Sequence, residues 1–286
     1  MEARRHLRQT QLMGWSFTSD TAEIPKAAEE WLLRDPVNNT IALTTLNRCR
    51  GGLWTDGAMF GWLTPDEDSD DSDVRGFVLH TGLNPLVLLD FPVEYVRPLA
   101  EALRTRKLPS VSGPADQVTA FADVWEQAPV RRMDERLYRL GTLSDPTASG
   151  RARRARPEDL DMLTEWFIAF VDEADAPGRD ANPREHVRYR IEQGELMVWE
   201  DDGPVSVAGF SIPIAEMSRV GMVYTPPEHR RRGYGAAVTH AASQAALQAG
   251  ATEVLLFTGL ANPTSNSIYQ ALGYHPIADH ATIFFA

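Results

Sequence analysis

One stretch limits what this chain can fold into more than any other: residues 220–250, VGMVYTPPEHRRRGYGAAVTHAASQAALQAG. Residues 220–224 are a short apolar run of strand character, Pro226 and Pro227 close it, and an alanine-rich helix starts at Gly233 and reaches Gln248. Between strand and helix lie Arg230, Arg231, Arg232, Gly233, Tyr234 and Gly235. The first turn of a helix leaves backbone N–H groups without intrahelical partners and carries partial positive charge, so an entry rich in arginine and glycine suits an anion. Glycine lets a ligand come close to the backbone and tolerates the dihedral angles that turn successive N–H groups inward. The anion expected here is a phosphate or pyrophosphate.

At 286 residues, two domains of ordinary size are expected rather than one. Hydrophobic residues at 43% and charged residues at 24% match a globular protein that folds in water. No apolar run approaches the ~20 residues needed to span a bilayer. The opening MEARRHLRQT has no apolar segment behind its basic residues, so a cytoplasmic protein without a membrane partner is expected. The single cysteine, Cys49, excludes an internal disulfide and reads as a small buried hydrophobe in a helix. A net charge of −12 argues against nucleic acid as a partner. An acidic chain that holds a polyanion must gather positive charge locally, which three consecutive arginines do, while the wider field favours an amine or other cation. Part of the acidic excess sits at 65–73, PDEDSDDSD, which lacks the glycine and the distal glutamate of a calcium loop and reads as a solvated hairpin tip.

Along the chain, helices are predicted over 21–34 and 38–48, strands over 58–63, 74–81 and 86–89, helices over 92–106 and 114–127, and a closing strand over 137–143. Residues 143–150, LSDPTASG, have the composition of a connector, which places a first domain at 1–145, a linker at 146–150 and a second domain at 151–286. The second domain opens with a strand at 151–155 and a helix from Pro157 whose inner side carries Leu160, Leu163, Phe167 and Phe170. A polar loop over 173–182 and a helix over 183–193 follow. Strands are predicted at 196–199, 205–214 and 217–224, the first two joined by the hairpin signal Asp201-Asp202-Gly203-Pro204. Beyond the anion loop and its helix, 254–257 has the continuous apolar character of a strand covered on both faces. A last helix runs from Asn262 to Leu272-Gly273, and terminal strands fall at Ile277 and 282–285. The two halves share one order of elements, so the first is expected to be a degenerate copy of the second. There 112–116, SGPAD, stands where the anion loop should be, with one glycine, no arginine and a phosphate-repelling aspartate, leaving a structural or substrate-shaping role.

The motif Arg230-x-x-Gly233-x-Gly235, behind a strand ending Val223-Tyr224-Thr225-x-Pro227, resembles the acetyl-CoA loop of the GNAT superfamily of N-acetyltransferases. A second block, Asn262-Pro-Thr-Ser-Asn-Ser-Ile-Tyr269-Gln-Ala-Leu-Gly273-Tyr274, is similar to that family's Asn-x-x-Ser-x-x-x-Tyr-x-x-x-Gly-aromatic signature at its usual distance. The resemblance covers residues 151–286. It implies a mixed α/β sheet flanked by helices, in two tandem copies, and an acetyl group passed from acetyl-CoA, the donor substrate, to an amine. Carried over by position, it implies that the backbone of Val223, Tyr224 and Thr225 pairs with the pantetheine arm, with the N–H of Val223 facing the thioester oxygen. The N–H groups of Arg231, Arg232, Gly233, Tyr234, Gly235 and Ala236 would hold the pyrophosphate, with Arg230 or Arg231 adding charge. Asn262, Ser265, Asn266 and Tyr269 lie near one helical face and could line one groove. Asn262 before Pro263 also suits a helix cap. Tyr269 is the expected proton donor to the departing thiolate, and Tyr274 is expected to fill the core.

The base is open among Glu216, Glu228, Asp172 and Glu173, or a water chain. His186, His229, His240, His275 and His280 show no paired metal-ligand spacing, and Gly209-Phe210-Ser211-Ile212-Pro213 is not a nucleophile elbow. Two other classes remain: a module that binds acyl-CoA without turnover, and a longer-chain acyl- or aminoacyl-transferring relative, the latter disfavoured by the lack of a basic, tRNA-sized surface.

Overall fold

The computed structural model describes residues 14–64, 73–174 and 180–286. The expected acidic hairpin tip falls on 65–72, outside the described residues, as does part of the polar loop over 173–182. Two compact units divide the chain, one made of residues up to Met133 together with His280–Ala286, the other of Asp134–Asp279. In each a mixed sheet is flanked by helices.

In the first unit, β1 (Trp15–Thr18) was not predicted; it leads to α1 (Lys26–Leu33) and α2 (Thr40–Arg50). The helix expected over 21–34 is broken at Pro25, with a separate 3₁₀ turn, Thr21–Glu23, before it. β2 (Ala58–Leu63), β3 (Gly76–Thr81) and β4 (Leu86–Leu88) follow, then α3 (Val96–Leu103), β5 (Ser110–Pro114) and α4 (Ala115–Val124). β1 to β4 pair antiparallel in sequence order, and β4 runs parallel to β5. Leu99, Leu103, Val118 and Phe121 of the helices bury against Trp15, Met59, Val78 and Val111 of the sheet.

The second unit takes the last part of β6 (Pro129–Leu140), then β7 (Arg151–Arg154), α5 (Leu160–Glu173), α6 (Pro183–Glu192), β8 (Leu196–Glu200), β9 (Pro204–Phe210), β10 (Met217–Tyr224), α7 (Tyr234–Gln248), β11 (Glu253–Gly259), α8 (Pro263–Ala271) and the start of β12 (Tyr274–Phe285). β7 to β10 pair antiparallel and β10 runs parallel to β11. α7 and α8 cover one face, where Val238, Ala242 and Tyr269 meet Val220, Val254 and Leu256. On the other, Leu163, Phe167 and Val187 of α5 and α6 meet Val198, Val207 and Met222. The small side chains of α7 let it lie close to the sheet while keeping high helix propensity.

The strand order is thus the same in both units, as the repeated pattern predicts, but the units are not bounded at 145 and 151. In each, an antiparallel strand closes the sheet beside the fifth strand, and in neither is it the strand that follows next in sequence. β5 pairs with the chain's end, Ser110↔Phe284 to Pro114↔His280. β11 pairs with β6, Leu255↔Arg139 to Gly259↔Glu135. The expected linker is not slack either. The indole of Trp199 donates to the Ser149 carbonyl at 2.7 Å, and Gly150 sits at φ 102 with no room for a Cβ against the Glu200 carbonyl.

Residues 112–116 also prove to be the passage from β5 into α4 and not the counterpart of 225–235. By strand order that counterpart lies between β4 and α3, where Asp90 and Glu94 stand and glycine and arginine are absent.

The closing strand gives a test. Truncation after Asp279 removes Ala281, Ile283 and Phe285 from the first unit's core. It should lower stability by about 3–6 kcal/mol through Ile283 and Phe285 alone, read in urea unfolding, with faster amide exchange concentrated in β5.

Candidate functional site

The site begins where two strands part. β10 and β11 are paired from Met217↔Glu253 to Val220↔Leu256, and there the ladder ends. Beyond it β11 continues against β6 as far as Gly259, and β10 continues against β9 as far as Tyr224↔Val207. Between Val220 and Val223 the register against β9 shifts, with Met222 at φ 52. Such a bulge bends and twists the strand that carries it. A buried guanidinium holds this one: Arg190, 4% exposed, donates through Nη1 to the Gly221 carbonyl at 3.3 Å and through Nε to Glu195 at 3.0 Å, itself 2% exposed. Position 209 must be glycine, because a Cβ there would fall 2.6 Å from the Gly221 carbonyl oxygen as well as against the Arg190 guanidinium.

Above the open end lies the predicted anion loop. A 3₁₀ turn, Pro227–His229, leads to Arg231 at φ 62 and Gly233 at φ 82, after which α7 begins with no side-chain cap. Its first N–H groups therefore have no protein side chain as acceptor. Arg231 and Arg232 are exposed, and among the described residues neither has an ion-pair partner. A Cβ added at Gly235 would come no nearer than 3.6 Å to the Thr225 hydroxyl, so the chain's own packing does not demand glycine there and the space over the first turn stays open. Tyr234 turns inward instead; it is buried, and its hydroxyl donates to Asp201, which also accepts from Ser149 at 2.8 Å. These hydrogen bonds, with a smaller contribution from nearby Arg232, hold the Asp201 carboxyl below its ordinary pKa.

Arg230 is clasped rather than open. Its Nε donates to the Thr225 carbonyl at 2.9 Å and its Nη2 to Glu173 at 2.5 Å, while the Tyr224 hydroxyl donates to the other Glu173 oxygen at 3.0 Å. Burial first, then Glu173, raises the Tyr224 phenol. The second sequence block forms α8 as predicted, but two of its polar side chains serve the fold. Asn262 caps α8 by accepting from the Ser265 N–H at 3.0 Å. Asn266 donates to the carbonyls of Gly259 and Asn262 and accepts from the Tyr138 hydroxyl at 2.8 Å, tying α8 to the free end of β11. Val223 and Tyr269 belong to the same apolar cluster as Val220 and Leu256, the last paired residues before the opening. Tyr269 is 8% exposed and hydrogen-bonded to Ser265, and burial pushes its phenol up to about 12. Tyr274 fills the core as expected and pairs with Ser243 at 2.6 Å.

Of the carboxylates considered, Glu173 alone is tied to the loop. Glu216 stands at the closed end of β10, where its carbonyl accepts from Thr252, and Asp172 and Glu228 are exposed. Glu135, which lies in no motif, sits on β6 opposite Gly259, at the open end; burial raises its pKa, with Arg219 pulling the other way. Among the described residues no group of three His, Cys, Asp or Glu could hold a metal ion, and no helix is long and apolar enough to cross a membrane.

Residues 211–283, from the end of β9 into β12, match the family described as FR47-like protein. No curated protein matches the chain in sequence. Among solved structures, an acetyltransferase of the GNAT family from Colwellia psychrerythraea superposes with a TM-score of 0.56 at 13% identity, over 82% of this chain and 90% of that one. A GCN5-related N-acetyltransferase from Kribbella flavida gives 0.52 at 23%, over 79% and 86%. A tandem GNAT protein from the clavulanic acid biosynthesis pathway gives 0.57 at 12%, over 94% and 97%. This is the GNAT fold.

In this GNAT sheet the bulge beside the parting of β10 and β11 is held by residues that the motif does not contain. Arg190 and Gly209 left faint signals: a glycine inside an apolar strand, and an arginine three residues after Val187 on the buried side of its helix. Arg190→Met should cost about 3–5 kcal/mol, because it strands the Glu195 charge in the interior. Arg190→Met with Glu195→Gln should recover part of that loss in denaturant unfolding.

Proposed function

We propose that the second unit moves an acetyl group from acetyl-CoA to the amine of a small-molecule or peptide acceptor, by direct attack of the amine on the thioester. The observation that carries this reading is the open angle between β10 and β11 beneath an uncapped helix start. A slender chain can enter the angle, and an anion can rest on the helix start. The donor fits the residues present: the first turn of α7 has N–H groups with no side-chain cap, Gly235 leaves room, and the exposed Arg231 and Arg232 add positive charge. On this reading the N–H groups of residues 231–236 hold the diphosphate, while the backbone from Val223 to Thr225, at the end of β10 that has left β11, aligns the pantetheine arm.

The chain's part in the chemistry is to orient and to manage protons. An N–H on β10 directed at the thioester oxygen stabilises charge that develops there, worth about 3 kcal/mol when well aimed. Tyr269 keeps its proton at neutral pH and offers it to the departing sulfur. Glu135, with a pKa raised by burial, is the carboxyl best suited to accept a proton from the incoming amine. A second reading, an acyl-CoA-binding module without turnover, is supported by how deeply Tyr269 is buried.

Two measurements separate these. Gly235→Asp, which the fold accommodates, should weaken acetyl-CoA binding about tenfold or more in calorimetry, since a carboxylate then faces the diphosphate; unchanged affinity sinks the donor assignment. Tyr269→Phe should leave that affinity within about twofold and lower thiol release with an amine panel by about a hundredfold. Full activity in this variant returns Tyr269 to packing alone.

A further inference from the structure

We infer that Arg230 is shared between Glu173 and the donor's diphosphate, so that donor binding draws Arg230 away and uncovers the Glu173 carboxylate for a cationic acceptor. This rests on the acetyl-CoA reading of the same site and adds a coupling to it. Arg230 is the first residue of the arginine run, three positions before the left-handed Gly233, yet its side chain is folded back on the protein. Its Nε lies on the Thr225 carbonyl, and its guanidinium carbon stands 5.8 Å from the centre of the Tyr224 ring. Its terminal nitrogen meets Glu173, the last residue of α5. Among the described residues the two neighbours in the run, Arg231 and Arg232, form no such ion pair. One arginine of three is therefore neutralised by a carboxylate from a different element.

The pair is half open to water, with side-chain exposures of 42% and 45%, so its hold on Arg230 is modest and a diphosphate can displace it. A diphosphate offers more charge and a bidentate geometry that guanidinium favours over a single carboxylate oxygen. Once Arg230 has moved, Glu173 keeps its hydrogen bond from Tyr224 and carries an uncompensated negative charge. Tyr224 ends β10 and packs on Trp166 of α5, so the freed carboxylate stays fixed in place beside the open strand. A protonated amine approaching from that side meets a counter-ion only when the donor is bound.

The sign of the expected effect is opposite to that of an ordinary binding residue. In calorimetry with coenzyme A, Glu173→Gln should bind about two- to fivefold tighter than the wild type, the range set by an exposed ion pair. Arg230→Gln should bind more weakly, and in the Arg230→Gln background the Glu173→Gln change should add nothing. Circular dichroism checks that all variants are folded. An equal gain in both backgrounds means only general repulsion between Glu173 and the ligand and overturns the inference, as does no gain in either. No binding by the wild type or any variant overturns the donor reading as well, whereas wild-type binding without the gain overturns the inference alone.

Discussion

The feature on which the rest of the second unit depends is the buried contact of Arg190 with the Gly221 carbonyl. Parallel strands side by side tend to pair along their full length, because every unpaired N–H and C=O in the interior carries a desolvation penalty. Parting β10 from β11 therefore requires another home for the displaced backbone groups. The bulge turns the Gly221 carbonyl out of the ladder, and a guanidinium, planar and permanently charged, can bond it and Glu195 at once. A lysine could not serve both with the same fixed fork. The ion pair adds little net stability by itself, since both charges are taken out of water. Its effect is local: with Arg190 in place, the Gly221 carbonyl that the bulge frees from the β9 ladder stays bonded, and the bulge is held at the point where β10 leaves β11.

The first unit shows the same topology without that device. Its parallel pair is short, Leu86↔Val111 and Val87↔Ser112, and the strands stay close beyond it, since a Cβ at Gly113 would fall 2.4 Å from the Leu88 carbonyl oxygen. The strands are held together there, not apart. The passage from β4 into α3 carries Asp90 and Glu94, and Pro98 within the first turn of α3 removes one N–H that an anion could use. The two units thus share a fold and differ in the charge carried at this helix entrance. The exchange of closing strands gives the first unit a different part: it takes its last strand from the chain's end, so the segment after α8 serves both units.

How much of this was legible follows from the range over which each signal acts. The anion loop, α7 and α8 were read closely, because caps, left-handed glycines and alanine-rich helices are set by neighbours a few residues away. The apolar run at residues 254–257 identified a strand for the same reason, and β11 forms there. Strand exchange was not legible. Residues 137–143 and 282–285 look like strands wherever they dock, and nothing local says which fifth strand each will join. The linker composition has a different reason at its end: Ser149 is hydrogen-bonded to Trp199, and close packing against Trp199 and Glu200 leaves no room for a Cβ at Gly150. Asn266 and Arg230 were assigned to a ligand by motif position. Their partners, Tyr138 and Glu173, lie 128 and 57 residues away and become visible only in three dimensions.

Burial of Tyr269 constrains the chemistry more than its presence in the motif does. With its phenol pushed up to about 12, it is fully protonated at neutral pH. A departing thiolate resembles a thiol of pKa ~8.5, so complete transfer from such a phenol runs uphill by roughly 5 kcal/mol. Under the proposed reaction Tyr269 therefore acts first as a hydrogen-bond donor to sulfur as charge develops. The proton is transferred only if the entering donor changes the surroundings of the phenol. The Ser265 hydroxyl already lowers the phenol's pKa against the larger effect of burial, by bonding to it from the preceding turn of α8. A negative sulfur placed against the ring edge would push the opposite way and hold the proton on oxygen more firmly. Under the proposed reaction the phenol therefore contributes first through its hydrogen bond to sulfur, and the proton it offers follows only as far as donor binding narrows the gap between the two pKa values.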